Sequence, residues 1–467
     1  MTEYRTESDM LGEVKIPATA YWGVHTARAV ENFPISGTAM SHHADLVRAL
    51  AAVKQAAARA NSDVGALDSS VAAAIDSACQ EVRDGELHDQ FVVDVVQGGA
   101  GTSSNINANE VIANRALELL GHNRGEYHVV DPLDHVNHGQ STNDVYPTAL
   151  QLATISALQR LDAAIGRLRA SLAEKSTEFR DLVKVGRTQL QDAVPMTVGQ
   201  EFGAWDAALG EEQSRIADMY GLLDRINLGG TAIGTGLNAA PGYTRAVRAH
   251  LSTITGRELT TAADLIAATS DAGVFVQASA TLKRAAVKIS KLCNDLRLLS
   301  SGPQSGVAEL QLPARQAGSS IMPAKVNPVI PEVVNQVAFS VMGGDVTISA
   351  AAEAGQLQLN AFEPIIAHTL LTNIDWMSQA LGTLTDNCIS GIRVNSGHLA
   401  ELTERSVAII TALTPQIGHA TASRIAQQAL QHGRNVRELV REEGVLDDEQ
   451  LEALTQPDRL TGQGPPA

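Results

Sequence analysis

Three long stretches of this chain repeat their apolar residues at alternating three- and four-residue steps, and that pattern limits the fold more than any other feature. Between 147 and 176 the seam runs Leu158, Leu161, Ile165, Leu168 and Leu172. Between 196 and 227 it runs Val198, Phe202, Trp205, Leu209, Ile216, Met219, Leu223 and Ile226, broken only by Glu212. Between 273 and 300, Ile289, Leu292, Leu296 and Leu299 hold the same register. Side chains with this spacing lie along one face of a helix, and helices of about 30 residues bury such faces against one another in a long bundle. The sequence therefore predicts an all-α protein around a central long-helix bundle. The stripes are core, not a cofactor-binding face. Composition agrees: 44% of the residues are hydrophobic but only 3% aromatic, which suits closely packed helices better than β-sandwiches.

At 467 residues the chain is too long for one simple core. Shorter helical patterns recur at 46–61, 105–120, 331–350 and after 362, separated by turn-rich segments at 121–146, 228–243 and 301–331. Near residue 395 the long pattern gives way to short amphipathic pieces. The expected organisation is an N-terminal helical domain (1–140), the long-helix bundle (141–395) and a small C-terminal helical domain (396–467), with no fixed-period repeat. The Gly/Pro tail, Gly462 to Ala467, is expected to be disordered. The segment 422–444 has the outline of a DNA-binding helix pair. Its arginines (Arg424, Arg434, Arg437, Arg441) are offset by acids, and ordinary helix pairing is the expectation.

The formal net charge of −17 argues against non-specific binding to nucleic acid or anionic membrane. No apolar run approaches the roughly 20 residues that span a bilayer, and Met1 to Ile16 has no apolar signal core. Cys79, Cys293 and Cys388 are far apart and form no CxxC, as in a cytoplasmic protein with reduced thiols. The acidity poses a problem of its own: an anionic substrate would need locally positive groups to hold it.

Four glycine- and hydroxyl-rich loops interrupt the helices: Gln97–Asn107 (QGGAGTSSNIN), Gln140–Asp144 (QSTND), Gly186–Asp192 (GRTQLQD) and Gly318–Pro328 (GSSIMPAKVNP). Each lies beside a predicted helix, and three precede one, where hydroxyls and amides serve as N-caps. Together they offer neutral donors that can hold carboxylates without burying net charge. Nucleotide motifs fail: QGGAGTSSN lacks the Gly-Lys-Ser/Thr ending of a P-loop, and Gly229–Asn238 lacks GxGxxG spacing. His122, His128, His135 and His138 lack the spacing of a metal site. The fourth loop is the most informative, because it combines flexible glycine, two serines, a lysine and an asparagine with stiffening prolines.

That GSSIMPAKVNP loop is similar to the signature of the aspartase/fumarase superfamily, and the other three loops resemble that superfamily in order and spacing, from about Leu11 to the C-terminal domain. Finer features resemble aspartases more than class II fumarases. Ala324 and the continuation VIPEVVNQV stand where fumarases read GKVNPT and then Cys-Glu-Ala. GAGTS replaces GSGTQ, and Gln189 stands where fumarases carry a histidine. The run Asp131–Asn137 (DPLDHVN) lacks the His-Pro-Asn-Asp of the fumarase secondary anion site. One departure from aspartases is Phe91-Val92-Val93-Asp94 in place of Phe-Pro-Val-Asp.

The resemblance implies a three-domain all-α fold and a homotetramer with a twenty-helix core, its active sites shared among three subunits. It implies elimination of ammonia from L-aspartate through an aci-carboxylate dianion, with no cofactor; activation by a divalent cation such as Mg²⁺ has no readable signature. Ser319 is then the base. Ser141, Thr142, Ser320 and the Met322 backbone hold the β-carboxylate, and Thr188, Lys325 and Asn327 the α-carboxylate. Thr102, Asn143 and Gln189 surround the amino group. Lys325 is the one cation expected in the pocket. Glu332, which partners the histidine in fumarases, becomes a structural or helix-terminal carboxylate. The alternatives are fumarate hydration and, in a different class, a non-catalytic helical assembly protein that has kept the fold. Argininosuccinate and adenylosuccinate lyases share the fold, but their loops are less similar.

Overall fold

The computed structural model describes residues 3–462, and helices dominate it. The longest are Thr142–Glu178, Val198–Leu223, Gly273–Leu299, Val329–Glu353 and Glu363–Asn387, so the three predicted seams lie on long helices, except that Ile226 falls just beyond the second, on the short strand Arg225–Ile226. Every apolar residue of those seams is buried. Glu212, the one break, is buried too and lies 2.6 Å from the Lys288 ammonium, which lowers the cost of placing a carboxylate in the stripe.

Packing divides the chain into two compact units. The first comprises Met1–Asp162, Ser214–Ala286 and Phe339–Met377; the second comprises Ala163–Gln213, Val287–Ala338 and Ser378–Ala467. Within the first, the helices Ala44–Asp63, Ser69–Asp84 and Thr102–Leu119 form an alanine-rich core. Small side chains bury both faces of Ala44–Asp63, and Lys54 and Gln55 are buried with them. Asp68 starts the next helix by accepting from the Ser70 and Val71 amides, and left-handed Gly85 ends it.

The chain also contains strand pairs that the helical periodicity does not reveal. Tyr4–Asp9 pairs with Gly12–Pro17, and Val183–Thr188 with Gln191–Thr197, both antiparallel. Two shorter pairs are Arg225–Ile226 with Thr260–Thr261 and Leu310–Gln311 with Arg393–Val394. The third predicted loop, Gly186–Asp192, is therefore a hairpin and does not cap a helix. The segment Pro132–Val136 is a single π-turn.

Beyond 395 the helices are short, as expected. His419–His432 and Val436–Glu443 bury Ile425, Ala429, Leu439 and Val440 in a small apolar cluster. Arg424 pairs with Glu443, Arg434 with Glu442 and Arg441 with Asp448. Two of these arginines are neutralised within the pair and Arg441 by the next helix, Asp448–Leu454, as in ordinary helix packing. Of the tail expected to be disordered, all but Gly462 lies outside the described residues. The three cysteines are buried and unpaired, and among the described residues no helix is long and apolar enough to cross a membrane.

Candidate active site

The helix Thr102–Leu119 begins within the first loop, so that 102–107, expected as loop, are helical. Gly101 is its N-cap at φ 87°, and a Cβ there would lie 2.5 Å from the Tyr146 ring, so only glycine fits. Thr102 is exposed at the first helical position, its hydroxyl donating to the Gly99 carbonyl at 2.6 Å. Buried Gln97 braces the turn by accepting from the Ser104 amide and hydroxyl at 3.0 and 3.1 Å. Just upstream, the Val92 amide donates to Asn107 Oδ1 at 3.0 Å. The proline of the usual aspartase run would have no such proton, so the Val92 departure has a structural consequence.

The second loop rests on a buried polar network. Ser141 caps the helix Thr142–Glu178, its Oγ accepting from the Asn143 amide at 3.2 Å. The Asn143 side chain donates to the Ala232 carbonyl at 2.7 Å. Fully buried Asp144 accepts from the Ser141, Gly229 and Thr231 amides, each at 2.9 Å. Burial pushes its carboxyl up, against the pull of those amides and of Lys54. The Lys54 ammonium donates to Asn137 Oδ1 at 2.8 Å and Gln140 Oε1 at 3.0 Å. Burial pushes it down to about 7, opposed by the charge of Asp144. Asn105 Nδ2 reaches both Asn137 Oδ1 (3.1 Å) and Thr142 Oγ1 (3.0 Å). Because Thr142 Oγ1 accepts from Asn105, the hydroxyl proton of Thr142 is free for another acceptor.

In the second unit, Thr188 and Gln189 lie at the tip of the hairpin Val183–Thr197, both exposed. The two turn residues, Gln189 and Leu190, have φ of 55° and 62°. This is the primed hairpin turn that asparagine and glycine normally occupy, and each residue with a Cβ costs roughly 1–2 kcal/mol there. The base of the hairpin is held electrostatically. Buried Glu309 lies 2.7 Å from the Lys184 ammonium and also pairs with Arg187, the residue before Thr188; Lys184 reaches Glu201 at 2.8 Å.

The fourth loop closes on itself. The Gly318 amide donates to the Lys325 carbonyl at 2.8 Å, and Asn327 Nδ2 to the Gly318 carbonyl at 2.6 Å. A Cβ at Gly318 would lie 2.5 Å from that same Lys325 oxygen. Ser319 Oγ accepts from the Ile321 amide at 3.1 Å and the Met322 amide at 2.9 Å, donors that favour an anionic oxygen. Ala324 stands at φ 65°, which explains why the resembling fumarases can carry glycine there. Ser320, Met322 and Lys325 are exposed, and among the described residues the Lys325 ammonium has no hydrogen-bond or ion-pair partner. Glu332 sits in the first turn of the helix Val329–Glu353, where the helix dipole favours a carboxylate.

The residues expected to form one site thus fall into two sets. Thr102, Ser141, Thr142 and Asn143 belong to the first unit; Thr188, Gln189, Ser319, Ser320, Met322, Lys325 and Asn327 belong to the second. Lys54, Asn105 and Asn137 escaped the sequence reading. The signal available was a lysine within the run AAVKQAAARA, a charge on an otherwise apolar helix. Three of the four histidines of 122–138 have local partners: His122 meets Glu126, His135 accepts from the Asp131 amide, and His138 lies against the Asp134 carbonyl.

Comparison with known proteins adds a second line of argument. A family described as lyase matches residues 12–343, and one described as fumarase C C-terminus matches 409–462. The chain is 54% identical to an aspartate ammonia-lyase of Pseudomonas fluorescens, over 98% of this chain and 96% of that one. It is 51% identical to the aspartate ammonia-lyase of Escherichia coli K12, over 96% and 94%. Among solved structures, a cobalt-bound fumarate lyase:delta crystallin from Brucella melitensis aligns with a TM-score of 0.96 and 51% identity, over 99% of this chain and all of that one. A class II fumarase from Schistosoma mansoni aligns with a TM-score of 0.93 but only 33% identity, over the same shares.

Proposed function

The chain belongs to the lyase family that includes aspartate ammonia-lyases and class II fumarases, and from that premise we propose that it eliminates ammonia from L-aspartate to give fumarate. It is a carbon–nitrogen lyase acting on a small molecule. The observation that carries the choice over hydration is Gln189 at the hairpin tip. A hydratase must protonate a departing hydroxide, which favours an ionisable group nearby. The ammonium of aspartate already carries its proton and leaves as neutral ammonia, so a non-titrating amide suffices.

In this scheme Ser319, with two amides on its oxygen, takes the C3 proton. Charge then accumulates on the β-carboxylate, and its stabilisation dominates the barrier. Ser141, Thr142, Ser320 and the Met322 amide hold that carboxylate, while Thr188, Lys325 and Asn327 hold the other. Thr102, Asn143 and Gln189 surround the amino group. Every one of these groups comes from the chain itself, so no cofactor is required; a divalent cation such as Mg²⁺ would act only as an activator.

The assembly belongs to the same reading: a homotetramer with a twenty-helix core whose sites draw on three subunits. Its support is an exposed apolar face on the helix Val329–Glu353, where Phe339 and Val346, seven residues and about two turns apart, are 58 and 68% exposed. One helix face with this much apolar surface needs a partner. Three buried, unpaired thiols suit a reducing, cytoplasmic setting.

The test is the ultraviolet absorbance of fumarate, with L-aspartate and L-malate in separate cuvettes and no added cofactor. Aspartate should react at least about a hundredfold faster. Comparable turnover of malate would move the assignment to fumarate hydration. Mixing inactive Ser319→Ala and Thr188→Ala chains under verified subunit exchange should restore partial activity, and no recovery would count against shared sites.

A further inference from the structure

A wholly buried ammonium is expensive unless an anion pairs with it. Lys54 has no exposed surface, yet among the described residues no carboxylate lies within ion-pair distance of it. Its ammonium donates only to two neutral amide oxygens, Asn137 Oδ1 and Gln140 Oε1. Asp144, the acid whose charge it feels, is occupied by the amides of Ser141, Gly229 and Thr231. Stability alone does not account for such a charge: an apolar side chain of the same length would remove the desolvation cost.

Its position suggests what the charge is for. Gln140 opens the loop that continues Ser141-Thr142-Asn143. Asn137 Oδ1 accepts from Lys54, Asn105 and Asn109 together, at 2.8, 3.1 and 3.2 Å, and Asn105 passes its second proton to Thr142 Oγ1. A continuous hydrogen-bonded path therefore joins the ammonium to the hydroxyl whose own proton is free. We propose that Lys54 is a positioning residue for the elimination: a second cation, lying behind the Gln140–Asn143 loop, that orients the Thr142 hydroxyl and lowers the energy of a carboxylate gaining a second negative charge in front of it. This rests on reading Ser141–Asn143 as the β-carboxylate clamp. Asn137 and Asn105 fix the geometry of the Thr142 hydroxyl, and the charge itself acts through space across a water-excluded interior, where Coulomb attraction is weakly screened.

The titratable groups facing Lys54 are Asp144, from the helix Thr142–Glu178, and Cys79, from Ser69–Asp84; Tyr243 in turn faces Asp144. Burial pushes the Cys79 thiol and the Tyr243 hydroxyl far above neutrality, so both stay uncharged. Burial holds the Lys54 ammonium down to about 7, so the free enzyme loses this charge as pH rises through that value.

The experiment uses the full-length assembled enzyme and succinate, a dicarboxylate that cannot eliminate, as the binding probe. Lys54→Met should lower kcat by roughly 10–100-fold and weaken succinate binding by about tenfold. In the wild type, succinate affinity should fall between about pH 6 and 8 (about one unit either side of neutrality), and the Lys54→Met profile should be flat. A dependence arising from Asp144 would persist in the variant and overturn the proposal, as would a variant with wild-type kcat and succinate affinity. Asn105→Leu leaves the cation in place and cuts the path to Thr142. It should act in the same direction by about three- to tenfold, and it decides the matter if Lys54→Met fails to fold: unchanged kcat and binding would refute the path. Wild-type enzyme that binds succinate but does not turn over aspartate would strike the assigned reaction and leave this comparison of variants standing.

Discussion

The loop Gln140–Asp144 and the loop Gly318–Pro328 carry similar residue types but are built in opposite ways. In the first, Asp144 is fully buried and spends its oxygens on three amides, Ser141 caps its helix, and Lys54 and Asn105 fix the groups behind. In the second, the bonds are nearly all internal to the loop, Ile321 is 87% exposed, and the Lys325 ammonium has no partner among the described residues. The difference follows the charge expected in the reaction. Where negative charge must grow, dipoles fixed beforehand avoid reorganisation during the step. Where a base must meet its proton and a cation must greet a substrate from water, surface access matters more than rigidity.

The comparison can be broken most sharply at Ser319. If the exposed loop supplies the base, Ser319→Ala should lower kcat by roughly 10²–10⁴-fold or more with little change in substrate affinity. Near-normal kcat in steady-state assays would place the base elsewhere. Lys325→Ala should instead appear mainly in KM, raised about ten- to a hundredfold, because a charged hydrogen bond is worth about 1.5–3 kcal/mol and serves the ground state too. Equal losses in kcat would make it a transition-state group.

Stability sharpens the contrast further. Asp144→Asn presents an amide to three donors, and urea titration should show a loss of about 1–3 kcal/mol. Asn327→Ala removes one bond within the exposed loop and should cost about 0.5–1.5 kcal/mol. If the two losses were reversed, the prebuilt clamp would not be the more tightly determined region. The smallest effect is expected at the hairpin tip. Leu190 is 69% exposed at φ 62°, so Leu190→Gly should gain roughly 1 kcal/mol from relief of left-handed strain. No gain in Tm would mean that Leu190 makes compensating contacts in the assembled enzyme.

The long helices were legible because burying a stripe leaves a period in the sequence, and Leu158 to Leu172 shows it without help from any partner. The hairpin Val183–Thr197 was not legible. Its turn uses Gln189 and Leu190 where asparagine and glycine would announce it, and Pro195 and Gly186 interrupt the strands. The resemblance named the residues at the tips of the loops, which are the residues proposed to face substrate. It did not name Lys54, Asn105 or Asn137, whose meaning lies in contacts between segments far apart in the chain: Lys54 to Gln140 spans 86 residues. A lysine in an alanine-rich helix reads as a solvated residue until the packing around it is known.

The exposed apolar face of Phe339 and Val346 also bears on how the protein comes to be active. In the proposed tetramer another chain covers this surface, and the last stage of maturation is then a collision, not a rearrangement. Recovery of activity after dilution from denaturant should therefore follow the second or a higher power of chain concentration, while helical circular dichroism returns at a rate independent of it.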